Sequence, residues 1–248
     1  MITTTPPADW RDLQQQVGRI LRECGLTVEI ERKIATVRGN VEVDVYATET
    51  ILGRRSVTLA ECKHWAAAVP QSVIHSFRIV VADTGANLGY VVSKAGFQSG
   101  AFSAAELTNL RLVTWEGFQA EFEETWIHAY LRPTLDARLE RLIRYTEPFV
   151  PRKFMEVDDE GVRRIRELLD RHEAFATLLL RFSVFGEDFF KGILDLPLRT
   201  FWPEMAGKVP DEILDACAYR EFLEAAIAHG EAAISDFHEA LRAGGVEP

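Results

Sequence analysis

Strand and helix patterns alternate along the first half of the chain, and this alternation restricts the fold more than any other feature. Alternating apolar residues predict strands over 26–32, 41–48, 56–63, 88–93 and 112–114. Apolar residues at helical spacing predict helices over 12–24, 71–82 and 101–110. The order α-β-β-β-α-β-α-β predicts an α/β fold with a mixed sheet flanked by helices.

Strand patterns disappear after about residue 116, and helical spacing of apolar residues replaces them. We therefore predict two domains, an α/β domain over 1–132 and an all-α region over 133–248. Breaks in the helical pattern are expected at Arg132-Pro133, over 147–153, near Gly186 and at Trp202-Pro203. The formal net charge of −10 is uneven, with −2 in residues 1–132 and −8 in residues 133–248.

Composition and charge exclude several classes of protein. The chain is 47% hydrophobic, but it has no apolar run long enough to cross a membrane and no signal-peptide pattern at its N-terminus. Cys24, Cys62 and Cys217 are too far apart for a zinc ribbon or a disulfide framework, so a reducing, cytoplasmic setting is expected. The negative charge argues against a protein that coats nucleic acid non-specifically, but not against an enzyme with local positive charge or bound metal ions.

Two consecutive strands carry charged residues where a core strand would be apolar. In VEVDVY (41–46) three valines alternate with Glu42, Asp44 and Tyr46, so strand geometry places both carboxylates opposite the valines. In VTLAECK (57–63) the apolar face ends in Glu61 and Lys63. A buried strand that ends in an acid and a base fits the rim of a functional site better than an ordinary core.

These residue types suit one kind of chemistry. If the two strands pair, Asp44 and Glu61 converge on one cation, because adjacent strands lie about 4.8 Å apart. Carboxylate oxygens suit Mg²⁺ or Mn²⁺, and the backbone carbonyl of Cys62 is a candidate third ligand. Lys63 would stabilise negative charge as it develops on a phosphate. The pattern predicts metal-assisted hydrolysis of a phosphodiester, whereas a simple Glu61–Lys63 surface ion pair would leave Asp44 unexplained.

This combination of residues and elements resembles the PD-(D/E)xK nuclease superfamily, and within it the Mrr-type restriction endonuclease catalytic domain. The resemblance covers about residues 10–118, including LQQQVGRILRECG, GNVEVDVY, ECKHW and GYVVSKAGFQSGAFSAAE. It implies a restriction-endonuclease-like fold with Asp44 and Glu61 as metal ligands and Lys63 as the catalytic lysine. It also implies a DNA endonuclease that uses Mg²⁺ or Mn²⁺ and serves defence against foreign DNA.

Other residues are expected to support the site or to contact DNA. Where many family members have a glutamate in the first helix, this chain has Gln14, a poorer metal ligand. Glu42 is a second acid beside Asp44, and Gln71 opens the next helix near the expected phosphate. Trp65 favours packing over stacking on a base. Candidate DNA-binding residues are Arg38, Arg54, Arg55 and Lys94.

Two other functions remain open at this point. One is a catalytically inactive nuclease-fold protein that acts in binding or assembly, which the Gln14 replacement and the acidic surface favour. The other is a structure-selective nuclease that cleaves junctions or flaps. DNA is the expected partner, and double-strand cutting by an enzyme with one site per chain favours a homodimer. The apolar stripes of residues 133–248 leave room for a protein partner, and no membrane association is expected.

Overall fold

The computed structural model describes residues 1–146, 151–182 and 195–248. The chain forms two compact units, one of Met1 with Thr5–Ala129 and one of Ile2–Thr4 with Tyr130–Pro248. Residues 2–4 pack with the second unit, although they lie at the opposite end of the sequence. The Ile2 carbonyl accepts a hydrogen bond from the Arg220 N–H at 2.8 Å, a contact between residues too distant in sequence for any local pattern to predict.

The first unit is an α/β domain. Its elements are α1 (Trp10–Glu23), β1 (Thr27–Thr36), β2 (Gly39–Ile51), β3 (Arg54–Lys63), α2 (Gln71–Thr84), β4 (Leu88–Ser93), α3 (Ser99–Ala105), β5 (Leu110–Thr114) and α4 (Trp115–Trp126). The strands form one sheet in the order β1-β2-β3-β4-β5. The β1–β2 and β2–β3 pairs are antiparallel, and the β3–β4 and β4–β5 pairs are parallel. This confirms the mixed sheet flanked by helices that the sequence predicts.

The ends of the elements that carry the site follow from local chemistry. Asp9 caps α1 by accepting a hydrogen bond from the Asp12 N–H at 2.9 Å, and Gly85 ends α2 at a φ of 68°. Between β2 and β3, Leu52 and Gly53 both have positive φ, as a two-residue type I′ hairpin requires. This tight hairpin fixes the register in which Val45 pairs with Ala60.

Helix α3 is shorter than the apolar spacing predicts. The prediction of a helix over 101–110 is wrong in its second half, because α3 ends at Ala105. Leu107 has a φ of 54° and is fully exposed, so it can neither continue a helix nor enter the core. Leu110 instead begins β5 and is buried. Leu107 and Leu110 are three residues apart and so imitate a helical spacing, although Leu107 lies in a turn and Leu110 begins a strand.

The second unit is helical throughout the residues that the structure describes, as predicted. After the π-helical turn Ile127–Leu131, its elements are α5 (Arg132–Thr146), α6 (Asp159–Phe182), α7 (Asp211–Leu214) and α8 (Tyr219–Ala243), with 3₁₀ turns at Arg152–Met155, Leu198–Thr200 and Pro203–Met205. The predicted break at Arg132-Pro133 is a change from π- to α-helix. The break at Trp202-Pro203 falls at 3₁₀ turns. Of the predicted break over 147–153, residues 147–150 lie outside the described residues and Arg152 begins a 3₁₀ turn, and the break near Gly186 also lies outside the described residues.

Side-chain packing in this unit centres on aromatic rings. Phe237 of α8 lies 5.2 Å from Tyr145 and stacks 5.9 Å from Phe154, measured between ring centres. Helices α5, α6 and α8 pack against one another around these rings. None of the helices in the described parts of the chain is both long and apolar enough to span a membrane.

Candidate active site

Asp44, Glu61 and Lys63 lie together at the C-terminal end of β3. The Asp44 Oδ2 accepts a hydrogen bond from the Cys62 backbone N–H at 2.7 Å, which joins the carboxylate of β2 to β3. The Lys63 ammonium donates to Glu61 Oε1. The Lys63 and Glu61 side chains are only 17% and 22% exposed, so water screens their charges less than at an open surface. The structure thus brings together the three side chains singled out by the strand pattern.

The charge balance of this group favours a cation. Burial raises the pKa of Glu61, and the negative charge of Asp44 raises it further, while Lys63 acts in the opposite direction. The two carboxylates therefore repel each other in a partly buried setting. A divalent cation between them would relieve this repulsion, which is the usual environment of a hard-metal site.

Cys62 contributes to the site through its backbone. Its N–H points toward β2, because it donates to Asp44. In an extended strand the N–H and C=O of one residue point to the same side, so the Cys62 carbonyl also faces the β2 side. The Lys63 carbonyl faces the other way and accepts a hydrogen bond from the Lys94 N–H at 3.0 Å. Burial, then Asp44 and Glu61, raise the pKa of the Cys62 thiol, so the buried thiol is neutral at pH 7.

The donor set available to a metal is small. Within residues 1–146, 151–182 and 195–248, no group of three or more His, Cys, Asp and Glu side chains is arranged to hold a metal ion. Two carboxylates and one backbone carbonyl remain, and Mg²⁺ often binds through one or two carboxylates while keeping several waters. The residues present fit such a cation.

Backbone distortion accompanies the site. Glu31 of β1 has a φ of 53°, although it lies between the paired positions Ile30↔Val45 and Arg32↔Val43 and so opposite Asp44. A non-glycine residue with positive φ inside a strand is rare, and such strain is concentrated at functional sites. The distortion on β1 therefore coincides with the position of the first candidate ligand.

The same stretch of β2 breaks the predicted alternation. Val43 and Tyr46 pack in one apolar cluster with Leu59 and Phe77, although residues three apart on a regular strand face opposite sides. The prediction that Val41, Val43 and Val45 share one face is therefore wrong for this group. The change of face falls between Val43 and Tyr46, where Asp44 lies beside the strained Glu31.

A cleft of about 370 Å³ opens beside Glu61 and Lys63, between β2 and α2. Apolar side chains form most of its walls, namely Val41, Val43, Val73, Phe77 and Val80. The other walls are formed by Trp65 and by the polar residues Glu42, Ser72 and Ser76. Trp65 is 44% exposed, and its ring centre lies 5.5 Å from the Lys63 ammonium. The sequence favoured packing for Trp65, but the structure leaves it open to a ligand.

The predicted supporting residues occupy different positions. Gln14 is buried on α1, a helix that packs against β2 and β3. Glu42 is exposed at the cleft, where its carboxylate lies 3.9 Å from the Lys33 ammonium. Gln71 faces α3, since a Cβ on Gly100 would come within 2.8 Å of its Oε1. Gln71 is not among the residues that line the cleft.

The four candidate DNA-binding residues are also separated. Lys94 is exposed and directly follows β4, where its backbone binds that of Lys63. Arg38 pairs with Asp83 at 3.0 Å. Arg54 and Arg55 begin β3, and at about 3.3 Å per residue their backbone lies roughly 20 Å from Glu61. Only Lys94 is therefore adjacent to the candidate site along the sheet.

The first unit thus has the restriction-endonuclease-like fold, with an acid from one strand and an acid-x-lysine sequence on the next. Residues 7–121 match the family Mrr_cat, described as restriction endonuclease. This match confirms the resemblance to the Mrr-type restriction endonuclease catalytic domain that the sequence shows over the same region.

The other comparisons add less. The comparison with curated proteins finds no match. A solved structure described as "Crystal Structure of Protein of Unknown Function AF1548" is 16% identical, with a TM-score of 0.40, and the match covers 73% of this chain and 98% of that one.

Proposed function

We propose that this protein, a nuclease of restriction-endonuclease type, is a Mg²⁺- or Mn²⁺-dependent endonuclease that hydrolyses DNA in defence against foreign DNA. The single observation that supports the site is the convergence of Asp44, Glu61 and Lys63 at the end of β3. The match of residues 7–121 to the restriction endonuclease family supports the reaction class. In this proposal Asp44, Glu61 and the Cys62 carbonyl hold the metal.

Each residue of the site has a distinct task in the proposed reaction. Asp44 is oriented by the Cys62 N–H through one carboxylate oxygen, which leaves the other oxygen available to a ligand. Glu61 holds the Lys63 ammonium at the mouth of the cleft. Lys63 stabilises the negative charge that develops on the phosphate during attack. A bound divalent cation supplies Lewis acidity and lowers the pKa of a coordinated water.

Metal binding is testable without any cleavage. In calorimetric titrations with Mn²⁺ we expect one or more ions to bind the wild type and Asp44→Asn to weaken binding about tenfold or more, because ligand charge sets the affinity of such sites. Glu49→Gln, on the same strand but away from the site, is the matched control and should bind like the wild type. Absence of Mn²⁺ binding to the wild type would favour the inactive nuclease-fold protein.

Basic residues near the candidate site are expected to contact DNA, whereas those at the far end of β3 are not. Lys94→Ala should weaken binding to a DNA duplex and reduce the slope of log affinity against log salt by about 1, as the loss of one phosphate contact does. Arg54→Ala, at the far end of the strand, should leave that slope unchanged. Fluorescence anisotropy over a series of salt concentrations measures both. Equal slopes for the wild type and Lys94→Ala would remove Lys94 from the interface.

The remaining proposals concern cellular context. Cys24, Cys62 and Cys217 are free thiols, which supports a cytoplasmic location.

A homodimer is proposed because cutting both strands of a DNA duplex requires two sites. The helical unit is proposed as the docking surface for a protein partner. The alternative of a structure-selective nuclease predicts faster cleavage of branched than of linear DNA.

A further inference from the structure

The cleft beside Lys63 has walls that do not suit a phosphate. Most of the side chains that line it are apolar and offer no hydrogen-bond donor to an anion: Val41, Val43, Val73, Phe77 and Val80. Val43 and Phe77 also belong to the buried apolar cluster under α2, so the cleft is an opening into the edge of the core. Apolar walls with a few polar groups are typical of sites for small organic molecules.

Trp65 gives the cleft an aromatic surface. Trp65 is 44% exposed, which leaves a large apolar residue in contact with water, and it lines the same cleft as Glu61 and Lys63. Proteins that bind single-stranded nucleic acid use exposed aromatic rings as stacking platforms for nucleobases. The Lys63 ammonium lies 5.5 Å from the ring centre, so a cation–π contact holds the indole next to the candidate catalytic lysine.

The polar groups of the cleft suit the edge of a base. The Ser76 hydroxyl donates to the Ser72 carbonyl at 3.0 Å, and both serines lie on the face of α2 that borders the cleft. Glu42 adds a carboxylate that can accept from an amino group of a base. Its negative charge disfavours a second phosphate at this position.

We propose that this cleft binds a nucleobase that has left the base stack, so that the preferred substrate is single-stranded or locally unpaired DNA. The proposal rests on the nuclease function proposed above, which places a phosphate at Glu61 and Lys63. A nucleotide joins its base to its phosphate through one sugar, so the base attached to that phosphate can reach the adjoining cleft, which Glu61, Lys63 and Trp65 all line. In a continuous duplex the base is stacked and paired, and extruding it costs a few kcal/mol. An unpaired base enters without that cost.

Binding in the absence of cleavage tests this inference. The probe is a 12-nucleotide DNA strand that carries one 2-aminopurine, alone or annealed to its complement, mixed with the 248-residue chain in EDTA. We expect the wild type to change the 2-aminopurine fluorescence of the single strand and to bind it more tightly than the duplex. Trp65→Ala should weaken single-strand binding about 5- to 150-fold, the effect of losing one stacked base. Trp65→Phe should restore much of it.

Two further variants separate the cleft from general destabilisation. Ser76→Phe places a ring into the cleft from an exposed position on α2, so it should weaken single-strand binding without affecting the fold. Ile51→Ala removes an exposed apolar side chain at the far end of β2 and should bind like the wild type. Circular dichroism of all variants checks that they fold.

The outcomes distinguish this inference from the proposed function. Unchanged single-strand binding by both Trp65→Ala and Ser76→Phe, or tighter wild-type binding to duplex than to single strand, would overturn the base-binding cleft and leave the nuclease proposal intact. A wild type that binds single strands through Trp65 but cleaves no DNA with Mg²⁺ or Mn²⁺ would support the cleft and refute the nuclease proposal.

Discussion

Asp44→Asn and Lys63→Ala are each expected to lower the rate of DNA cleavage by about 10²–10³-fold, the effect of removing one preorganised electrostatic group from an active site. Asn at position 44 can still accept the hydrogen bond from the Cys62 N–H, so this substitution removes the charge and keeps the connection between β2 and β3. Alanine at position 63 removes the ammonium that lies beside Glu61. Rates are measured on plasmid and linear DNA with Mg²⁺ or Mn²⁺.

Matched controls make this result specific to the site. Glu49→Gln removes a carboxylate from the same strand as Asp44, and Lys208→Ala removes an exposed lysine from the helical unit. Both should cleave DNA at the wild-type rate. Melting temperatures of all four variants show whether a loss of activity reflects a loss of fold. Full activity in both Asp44→Asn and Lys63→Ala would contradict the assignment of the site.

Much of this site is predictable because strand geometry is periodic. An apolar strand that ends in Glu61 and Lys63 would bury two charges, which is unfavourable unless each charge has a partner. With Asp44 on the preceding strand, few arrangements other than a shared site give these charges partners. The element order was predictable for the same reason, since helical and strand spacing differ. The family match over residues 7–121 covers the same elements.

What the sequence could not predict depends on distortions and on long-range contacts. The strained Glu31 lies beside the place where β2 changes face, and Val43 packs with Tyr46 against the expected alternation. Trp65 lies just beyond a strand, where no periodicity fixes whether a side chain is buried. Gln71 begins α2 as predicted, but its side chain faces Gly100 because of the rotation of the helix. Each difference concerns orientation rather than the presence of an element.

The helical unit carries a second cluster of titratable groups, and its effect on stability is predictable. His172 of α6 is only 3% exposed, and neither of its ring nitrogens has a hydrogen-bond partner. Its ring centre lies 5.4 Å from that of His229 on α8. Burial lowers the pKa of His172, and the neighbouring His229 and Arg171 lower it further, while Asp236 acts in the opposite direction.

His229 is perturbed in the same sense. Burial lowers its pKa, and Asp236 of α8 and Glu212 of α7 partly offset this effect. Both histidines therefore take up a proton at lower pH in the folded chain than in the unfolded chain, where the ordinary pKa is about 6.5. Above that pH both histidines are neutral in the folded and in the unfolded chain, so their protonation does not change the free energy of unfolding. As the pH falls below about 6.5 the unfolded state binds more protons, so stability declines.

We therefore expect the 248-residue chain to lose about 1–3 kcal/mol of stability between pH 7.5 and pH 5, because a charged imidazole without a partner would have to remain buried. His172→Phe keeps an aromatic ring in a site that already contains Phe237, at 6.2 Å from the His172 ring centre, and should remove much of this acid sensitivity. His75→Gln, on the exposed face of α2, should leave it unchanged. Thermal unfolding followed by circular dichroism at both pH values gives the comparison.

A residual decline in stability is expected in His172→Phe because burial and three nearby cations lower the pKa of His238 as well. If His172→Phe and the wild type lose equal stability on acidification, the buried pair is not the source of the effect.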